Sequence, residues 1–442
     1  MDNDVTRLNA ATDATPIGPA NSAALVQRGI ALRQANRQTL AIACYRRALD
    51  ADPDCVPAWS NLGNALKDLH RTDAAIAAHR QAAALLPDNP LILLNLAIAL
   101  RQGRAWHEAG AVLTSALSHA PDNRSIAWER ALINLQLGAY PAGFADYEAR
   151  LDLPNGPEIP TDAPRWRGEP LSGRRILLVP EQGYGDAFLA LRYLPTLRAM
   201  GATVVLRSRP ATLRLFREIA GIEVIGLEEH PPGIDFICPL MSLPGLLGTT
   251  LSTVPSAWRP QPDARAHEKA RSLVPRRANA MNIGIVWAGS DGFTDNLQRS
   301  IPLPTLLGLL EVPNVRLFSL QKGPHEQALP AVALPDLVTP LGPALHDFAE
   351  TAAVVERLDL VVMTDSAVAH LTGSAGRPVW VLLHRTPYWI FGTGGAQTPW
   401  YKSMRLFRQP DHGGWHATMG NVIDTLNAPG EAQPTAREDV PT

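Results

Sequence analysis

A chain of 442 residues is long enough for two to four domains. Its 46% hydrophobic and 19% charged residues fit a folded globular protein, and a formal net charge of −2 argues against a nucleic-acid binder. Cys44, Cys55 and Cys238 lack the spacing of a disulfide framework or a zinc site, no basic patch and apolar run marks a leader, and no apolar stretch is long enough to span a bilayer, so a soluble cytoplasmic protein is expected. Residues 1–21 are rich in Asn, Asp, Thr, Ala and Pro without periodicity and read as a mobile tail.

From residue 22 a repeat begins. Pro53, Pro87 and Pro121 stand 34 residues apart, which is the tetratricopeptide period. Trp59, Leu62, Gly63, Leu66, Ala75, Ala82 and Pro87 mark one unit. Leu25, Gly29, Leu32, Ala41, Tyr45, Ala48 and Pro53 mark the unit before it, and Leu93, Leu96, Ala97, Leu100, Ala109, Leu113, Ala116 and Pro121 the unit after. Small residues let paired helices approach closely, and each proline stops a second helix. A fourth unit from Ala127 keeps Ala131, Gly143 and Tyr147 but puts Arg130 at an apolar place, as a capping repeat would. A helical superhelix over 22–151 is predicted. Asn61 and Asn95 occupy equivalent places, and an amide that donates and accepts together suits a peptide backbone. A local turn-stabilising role is an equal alternative.

Residues 152–173 are rich in Pro and Gly and read as a linker. A first α/β unit is expected over 174–262. Ile176–Val179 reads as a buried strand, followed by Pro180, Glu181, Gln182, Gly183, Tyr184, Gly185 and Asp186 and a helix through Ala199. Gly183 and Gly185 would let backbone approach a ligand, and Asp186 stands at the helix start, where it is also a common cap. Thr203–Arg207, Glu223–Gly226 and Asp235–Cys238 continue the strand–helix alternation.

A second α/β unit is expected over 263–428. The strand opening at Asn282 leads to Ala288, Gly289 and Ser290, with Gly292 and Arg299 beyond, and Val315–Leu320 leads to Gln321 and Lys322. A helix over about 345–358 precedes a βαβ unit: the strand Leu360–Met363, the turn Thr364, Asp365 and Ser366, a helix to about Ala375, and the strand Pro378–Leu383. Ligands of parallel sheets sit where strands end and helices begin, so Thr364, Asp365, Ser366 and His370 mark a site for a phosphate or a sugar, with Arg299 and Lys322 as candidate cations. Asp365 or Ser366 serving only as a cap, with His370 packed beneath, is the plainer reading. Residues 429–442 read as a second tail.

The stretches EQGYGDAFLALRYLP, MSLP, GIVWAGS, RSIPL, SLQKG, DFAETAA, TDSAVAHLTGSAGRPVW and PWYKSMRLFRQ, in this order from Arg174 to about Asn421, resemble the bacterial tetratricopeptide-containing glycosyltransferases related to the ADP-heptose:lipopolysaccharide heptosyltransferases. The repeats, with Asn61 and Asn95, resemble those of O-linked N-acetylglucosamine transferase. The resemblance implies a GT-B fold, two Rossmann-like domains facing across a cleft, with the acceptor on the first and the donor nucleotide on the second. It implies Asp186 as general base. It also implies that Asp365, Ser366 and His370 bind the donor phosphate and sugar, with Arg299 and Lys322 at the nucleotide; the expected donor site adds Gly183, Gly185, Gly289, Ser290, Gln321 and Thr364 from their places at strand ends and in loops. Two loops depart from the family pattern: SDGFTDNLQ after the first strand of the second unit, and HRTPYWIFGTGG, which adds His384 and Arg385. An anionic donor sugar would explain those two, and so would a surface position.

The function expected is an inverting, metal-independent glycosyltransferase that moves a sugar from a nucleotide-sugar donor to a hydroxyl of a protein held by the repeats, such as flagellin. No metal is called for, since the D-x-D triplets at Asp50, Asp52 and Asp54 fall in a repeat turn, and no cofactor is expected. Two alternatives stand beside it: a transferase acting on lipopolysaccharide or another glycan, and a non-catalytic scaffold.

Overall fold

The structure is a computed structural model that describes residues 19–428 except 161, 182, 291–295, 333–336 and 412–413. Both tails beyond those limits, Gln182 and Gly292 therefore lie outside the described residues. The first helix begins at Pro19, inside the expected tail, with proline at a helix start where its missing N–H costs nothing. Among the described residues no helix is long and apolar enough to cross a membrane.

Contacts divide the chain into two units, one ending at Ile133 and the other beginning at Asn134. The first is a row of helical hairpins: α1 (Pro19–Gln34) with α2 (Gln38–Ala51), α3 (Val56–Asp68) with α4 (Thr72–Leu85), and α5 (Pro90–Gln102) with α6 (Trp106–His119). The 34-residue period reaches into the backbone. Asn36, His70 and Arg104 each take positive φ (62°, 56° and 62°) in the turn within a hairpin. The next backbone N–H, of Arg37, Arg71 or Ala105, then reaches back to the carbonyl of Leu32, Leu66 or Leu100 and closes the helix end. Gly29 lies against the Tyr45 ring and Gly63 against the His79 ring, with no room for a Cβ at either place. That contact explains why these helices carry glycine where they cross.

The contact division falls within the span over which the repeats are expected, which ends at 151. The helix α7 (Arg124–Gln136) and the turn at Gly138 keep the period, but α8 (Tyr140–Tyr147) packs as part of the second unit. Tyr140 and Phe144 lie 5.8 and 5.6 Å from the Trp389 ring, and the Trp400 indole donates to the Tyr140 hydroxyl at 2.7 Å.

The second unit holds two parallel sheets. One has the order β3-β2-β1-β4, with β1 Arg175–Val179, β2 Thr203–Arg207, β3 Glu223–Ile225 and β4 Phe236–Pro239. The other has the order β10-β9-β8-β5-β6-β7, with β5 Met281–Val286, β6 Val315–Ser319, β7 Val338–Pro340, β8 Leu360–Thr364, β9 Val379–Leu383 and β10 Met404–Arg408. The central strands are buried along nearly their whole length, as strands covered on both faces should be. β7 and β10, on the two edges of the larger sheet, are the strands the apolar runs did not announce.

Three expectations change. The linker at 152–173 is not a free tether: Trp166 and Leu171 are buried in the core of the first sheet, and the Trp166 N–H bonds to the Ile237 carbonyl at 2.9 Å. The helix expected through Ala199 breaks into α9 (Tyr184–Ala190), a 3-10 turn and α10 (Leu194–Ala199), because Pro195 cannot donate back to Leu191. The helix expected over 345–358 starts at Phe348 as α11 (Phe348–Arg357), where the Asp347 carboxylate accepts from the Glu350 N–H at 2.9 Å. Ala349, Ala352 and Leu371 join the core beneath the first sheet, so α11 and α12 (Ala367–Ser374) bring the larger sheet's helices against α9. That packing positions the site.

Candidate active site

The loop after β1 turns into α9 at Tyr184, which puts Asp186 in the first turn of the helix. Its Oδ2 accepts from the Gly183 N–H at 3.1 Å and its Oδ1 from the Tyr388 hydroxyl at 3.2 Å. The Tyr147 hydroxyl hydrogen-bonds Tyr388 in turn, and burial pushes both phenols up, so both stay protonated. Burial also raises the Asp186 carboxyl to about 6. The charges of Glu181 and Asp365 act in the same direction, while the bonds from Gly183 and Tyr388 oppose them. A carboxyl at that value can take up or release a proton near neutral pH.

The larger sheet supplies the facing groups. His370 of α12 lies against Gly185, where an added Cβ would stand 2.9 Å from its Cδ2. The glycine is needed to make room for this ring. His370 is buried, shares a 3.1 Å hydrogen bond with the Tyr401 hydroxyl through Nδ1, and is held neutral because burial and the Arg192 charge push it down to about 3. A neutral imidazole offers a phosphate no charge. Asp365 is buried with its carboxyl raised to about 6 by burial, against the pull of Arg299. Ser366 caps α12 by backbone alone, and its buried Oγ has no hydrogen-bond partner among the described residues.

The remaining expected residues divide. Pairing of β5 with β8 sets the loops after them side by side. Arg299 lies across Gly289, which has no room for a Cβ, and its Nε donates to Asn296 Oδ1 at 3.2 Å. The same oxygen accepts from the Gly289 N–H at 3.0 Å, so Asn296 clamps the loop. Ser290 is exposed beside it. Thr364, Gln321 and Lys322 are engaged internally. The buried Thr364 hydroxyl donates to the Arg299 carbonyl. Gln321 accepts from the Trp287 and Ala288 N–H groups at 3.1 and 3.0 Å and donates to the Ala288 and Lys322 carbonyls. Lys322 Nζ donates to the Gly342 and Leu345 carbonyls at 2.7 and 2.8 Å. Gly183 has ordinary extended backbone (φ −83°, ψ 169°) and meets only its own loop, so it contributes a backbone N–H rather than clearance. Arg385 pairs with Asp411 on the surface at 3.0 Å, while His384 is buried and its Nδ1 faces Thr386.

Lys322→Ala is accordingly expected to lower stability by about 1–2 kcal/mol, since two charge-assisted bonds to loop carbonyls are lost from a partly exposed side chain. Denaturant midpoints check the loss, and nucleotide affinity should stay within about twofold, well under the tenfold that 1.4 kcal/mol represents.

In the first unit, the Asn61 amide donates to the Pro57 carbonyl of its own helix at 2.8 Å, and the Asn95 amide to the Ser60 hydroxyl at 3.4 Å. Each expected rung has one donor already engaged. Sequence reasoning missed Tyr388, Tyr147, Asn296 and Arg150. Tyr388 and Asn296 had a signal, each lying in one of the two loops that depart from the pattern of the resemblance.

Models described as TPR repeat and tetratricopeptide repeat match residues 29–70, and residues 60–123 and 94–158. The N-terminal region is a tetratricopeptide-repeat array. The chain is similar to Protein FlbA of Caulobacter vibrioides, with 27% identity over 428 residues that cover 90% of this chain and 71% of that one. Among solved structures, the α/β region is similar to a glycosyl transferase of family 9 from Veillonella parvula (TM-score 0.45, 12% identity, 59% of this chain and 98% of that one). The repeats are similar to the first TPR of Spaghetti (RPAP3) bound to an HSP90 peptide (TM-score 0.26, 21% identity, 27% and 96%).

Proposed function

We propose that this chain is a glycosyltransferase of GT-B type that moves a sugar from a nucleotide-sugar donor to a hydroxyl of a protein acceptor, a bacterial surface protein such as flagellin. The observation that carries the reading is Asp186: a carboxyl raised to about 6, oriented by Gly183 and Tyr388, where α9 meets α12. In the proposed step Asp186 takes the acceptor's hydroxyl proton as that oxygen attacks the anomeric carbon. The bond from this carbon to phosphate breaks, the donor's nucleotide leaves with the electron pair on its phosphate oxygen, and configuration inverts. The N-terminus of α12 with the Ser366 Oγ, unpartnered among the described residues, and Arg299 beside it support stabilisation of the departing phosphate without a resident metal. His370, being neutral, and Asp365 suit sugar hydroxyls better than phosphate.

A thermal-shift series with UDP, GDP, ADP and CMP tests the reading. One of them is expected to raise the melting temperature in proportion to the logarithm of its concentration, because it binds only the folded state. No shift with any of them at millimolar concentration would remove the donor site.

A further inference from the structure

The smaller sheet buries its two faces differently. Ile176, Leu178, Val204 and Leu206 enter the core that includes Phe188 of α9. Leu177, Val179, Val205, Ile225 and Ile237 form the other face, against which Ile159 and Ala163 pack. Alternation along β2 puts Arg207 on that second face, two residues beyond Val205. Register sets its neighbours: Ile225 of β3 pairs with it, and Leu178 pairs with Leu206, so Val179 comes beside it on the β1 side. An apolar stripe therefore ends in one guanidinium at the carboxyl edge of the sheet, where parallel sheets bind ligands. A cavity of about 330 Å³ lies there, lined by Ile159 and Pro160 from the covering segment and by Val179, Pro180, Leu227 and Arg207, with the exposed Glu158 beside them. Arg207 is only 8% exposed. Its Nη2 donates to the Glu229 carbonyl at 3.0 Å, while its buried Nε has no hydrogen-bond partner and no carboxylate pairs with it among the described residues. Leu227 is 41% exposed, so the cavity wall has apolar surface still to bury.

We propose that this cavity binds a small monocarboxylate with a compact apolar body, its carboxylate on Arg207 and its body against Val179, Pro180 and Leu227. A buried guanidinium with donors to spare is an incomplete ion pair, and a carboxylate matches its planar fork. Leaving a buried donor unmade is costly, so a ligand that supplies the acceptor gains beyond its apolar contacts. One negative charge is the limit. Arg207 is the only cation among the described residues lining the cavity, and Glu158 repels a second charge. An apolar cavity of about 150 Å³ holds benzene. One of about 330 Å³ therefore has room for a ring, a short chain and the carboxylate. The site lies on the sheet face opposite α9, which carries Asp186, so it is independent of the transfer chemistry.

Isothermal titration of the full chain with 4-phenylbutyrate, 4-phenylbutanamide, acetate and inorganic phosphate tests this. 4-Phenylbutyrate is expected to bind about tenfold or more tightly than its amide, the worth of one charge-assisted hydrogen bond. It should also exceed acetate, which lacks the apolar body. Arg207→Gln should weaken it about tenfold or more, and Leu227→Glu, at an exposed position, should do so by setting a second carboxylate in the wall. No binding of 4-phenylbutyrate at millimolar concentration would overturn the proposal. Equal affinity for acid and amide, phosphate binding as tight as 4-phenylbutyrate's, or unchanged binding in either variant would overturn it too. The ligand comparison uses the unaltered chain and stands even if Arg207→Gln misfolds. Nucleotide thermal shifts with and without 4-phenylbutyrate separate the two sites. Additive shifts are expected, and mutual exclusion would assign the carboxylate to the donor site and overturn the proposal. Carboxylate binding without any nucleotide shift would remove the donor site and leave this one.

Discussion

Asp186→Asn is expected to lower turnover by about two to four orders of magnitude, the range that a positioned general base contributes, while leaving nucleotide affinity nearly unchanged. Asparagine keeps the size and can still accept from the Gly183 N–H, but it cannot take a proton. Donor affinity should hold because the candidate phosphate contacts, at Arg299 and Ser366, follow β5 and β8 rather than β1. The unaltered protein should also lose activity as pH falls through about 6, where Asp186 protonates. Stability should move the other way. Asp186 and Asp365 hold their protons more tightly folded than unfolded, so their contribution to stability is complete below the ordinary carboxyl pKa near 4 and is lost as pH rises through about 6. Activity that persists unchanged down to pH 5, or near-normal turnover in Asp186→Asn, would reassign the base.

Glu181→Gln is expected to cost about 3–5 kcal/mol of stability, the cost of removing one partner from a buried ion pair. The Glu181 side chain is 0% exposed and that of Arg150 2%. Glu181 accepts from Arg150 Nε at 2.6 Å, from Arg150 Nη2 at 2.9 Å and from the Met241 N–H at 2.8 Å. Arg150 keeps Glu148 at 2.8 Å, but that carboxylate is 45% exposed and replaces Glu181 only in part. Urea unfolding checks the loss. A cost under 1 kcal/mol would show that Glu148 and solvent suffice. A second signature follows from the location of the pair: Glu181 is among the charges that raise the Asp186 carboxyl, so the acid limb of the pH–rate profile should shift to lower pH in the variant. A purely structural loss would lower activity without moving that limb.

The amino-acid sequence by itself determined the elements that repeat or alternate. The 34-residue spacing of Pro53, Pro87 and Pro121 predicts the hairpins, because a helix that buries one face must place small and apolar residues at fixed intervals. The apolar runs at 176–179, 203–207, 282–287 and 360–363 predict parallel strands, because a strand buried on both faces has no polar alternation. The loops after β1, β5 and β8 follow from those runs, and with them the region of Asp186, Gly289 and Asp365.

Only the tertiary structure decided which side chain answers which. Tyr388 reaches Asp186 across 202 residues, and Arg150 reaches Glu181 from a helix that the repeat pattern assigns to the array. Lys322 and Gln321 follow a strand end, as ligand-binding residues do, yet the carbonyls of Gly342, Leu345 and Ala288 lie within their reach and engage them. Trp166 lies in a Pro- and Gly-rich segment that reads as a linker, but β4 offers its backbone a partner and the first sheet its ring a core. Periodicity reports how a residue sits on its own helix or strand. A hydrogen-bond partner is set by which elements the fold brings together, and that depends on packing spread over the whole chain.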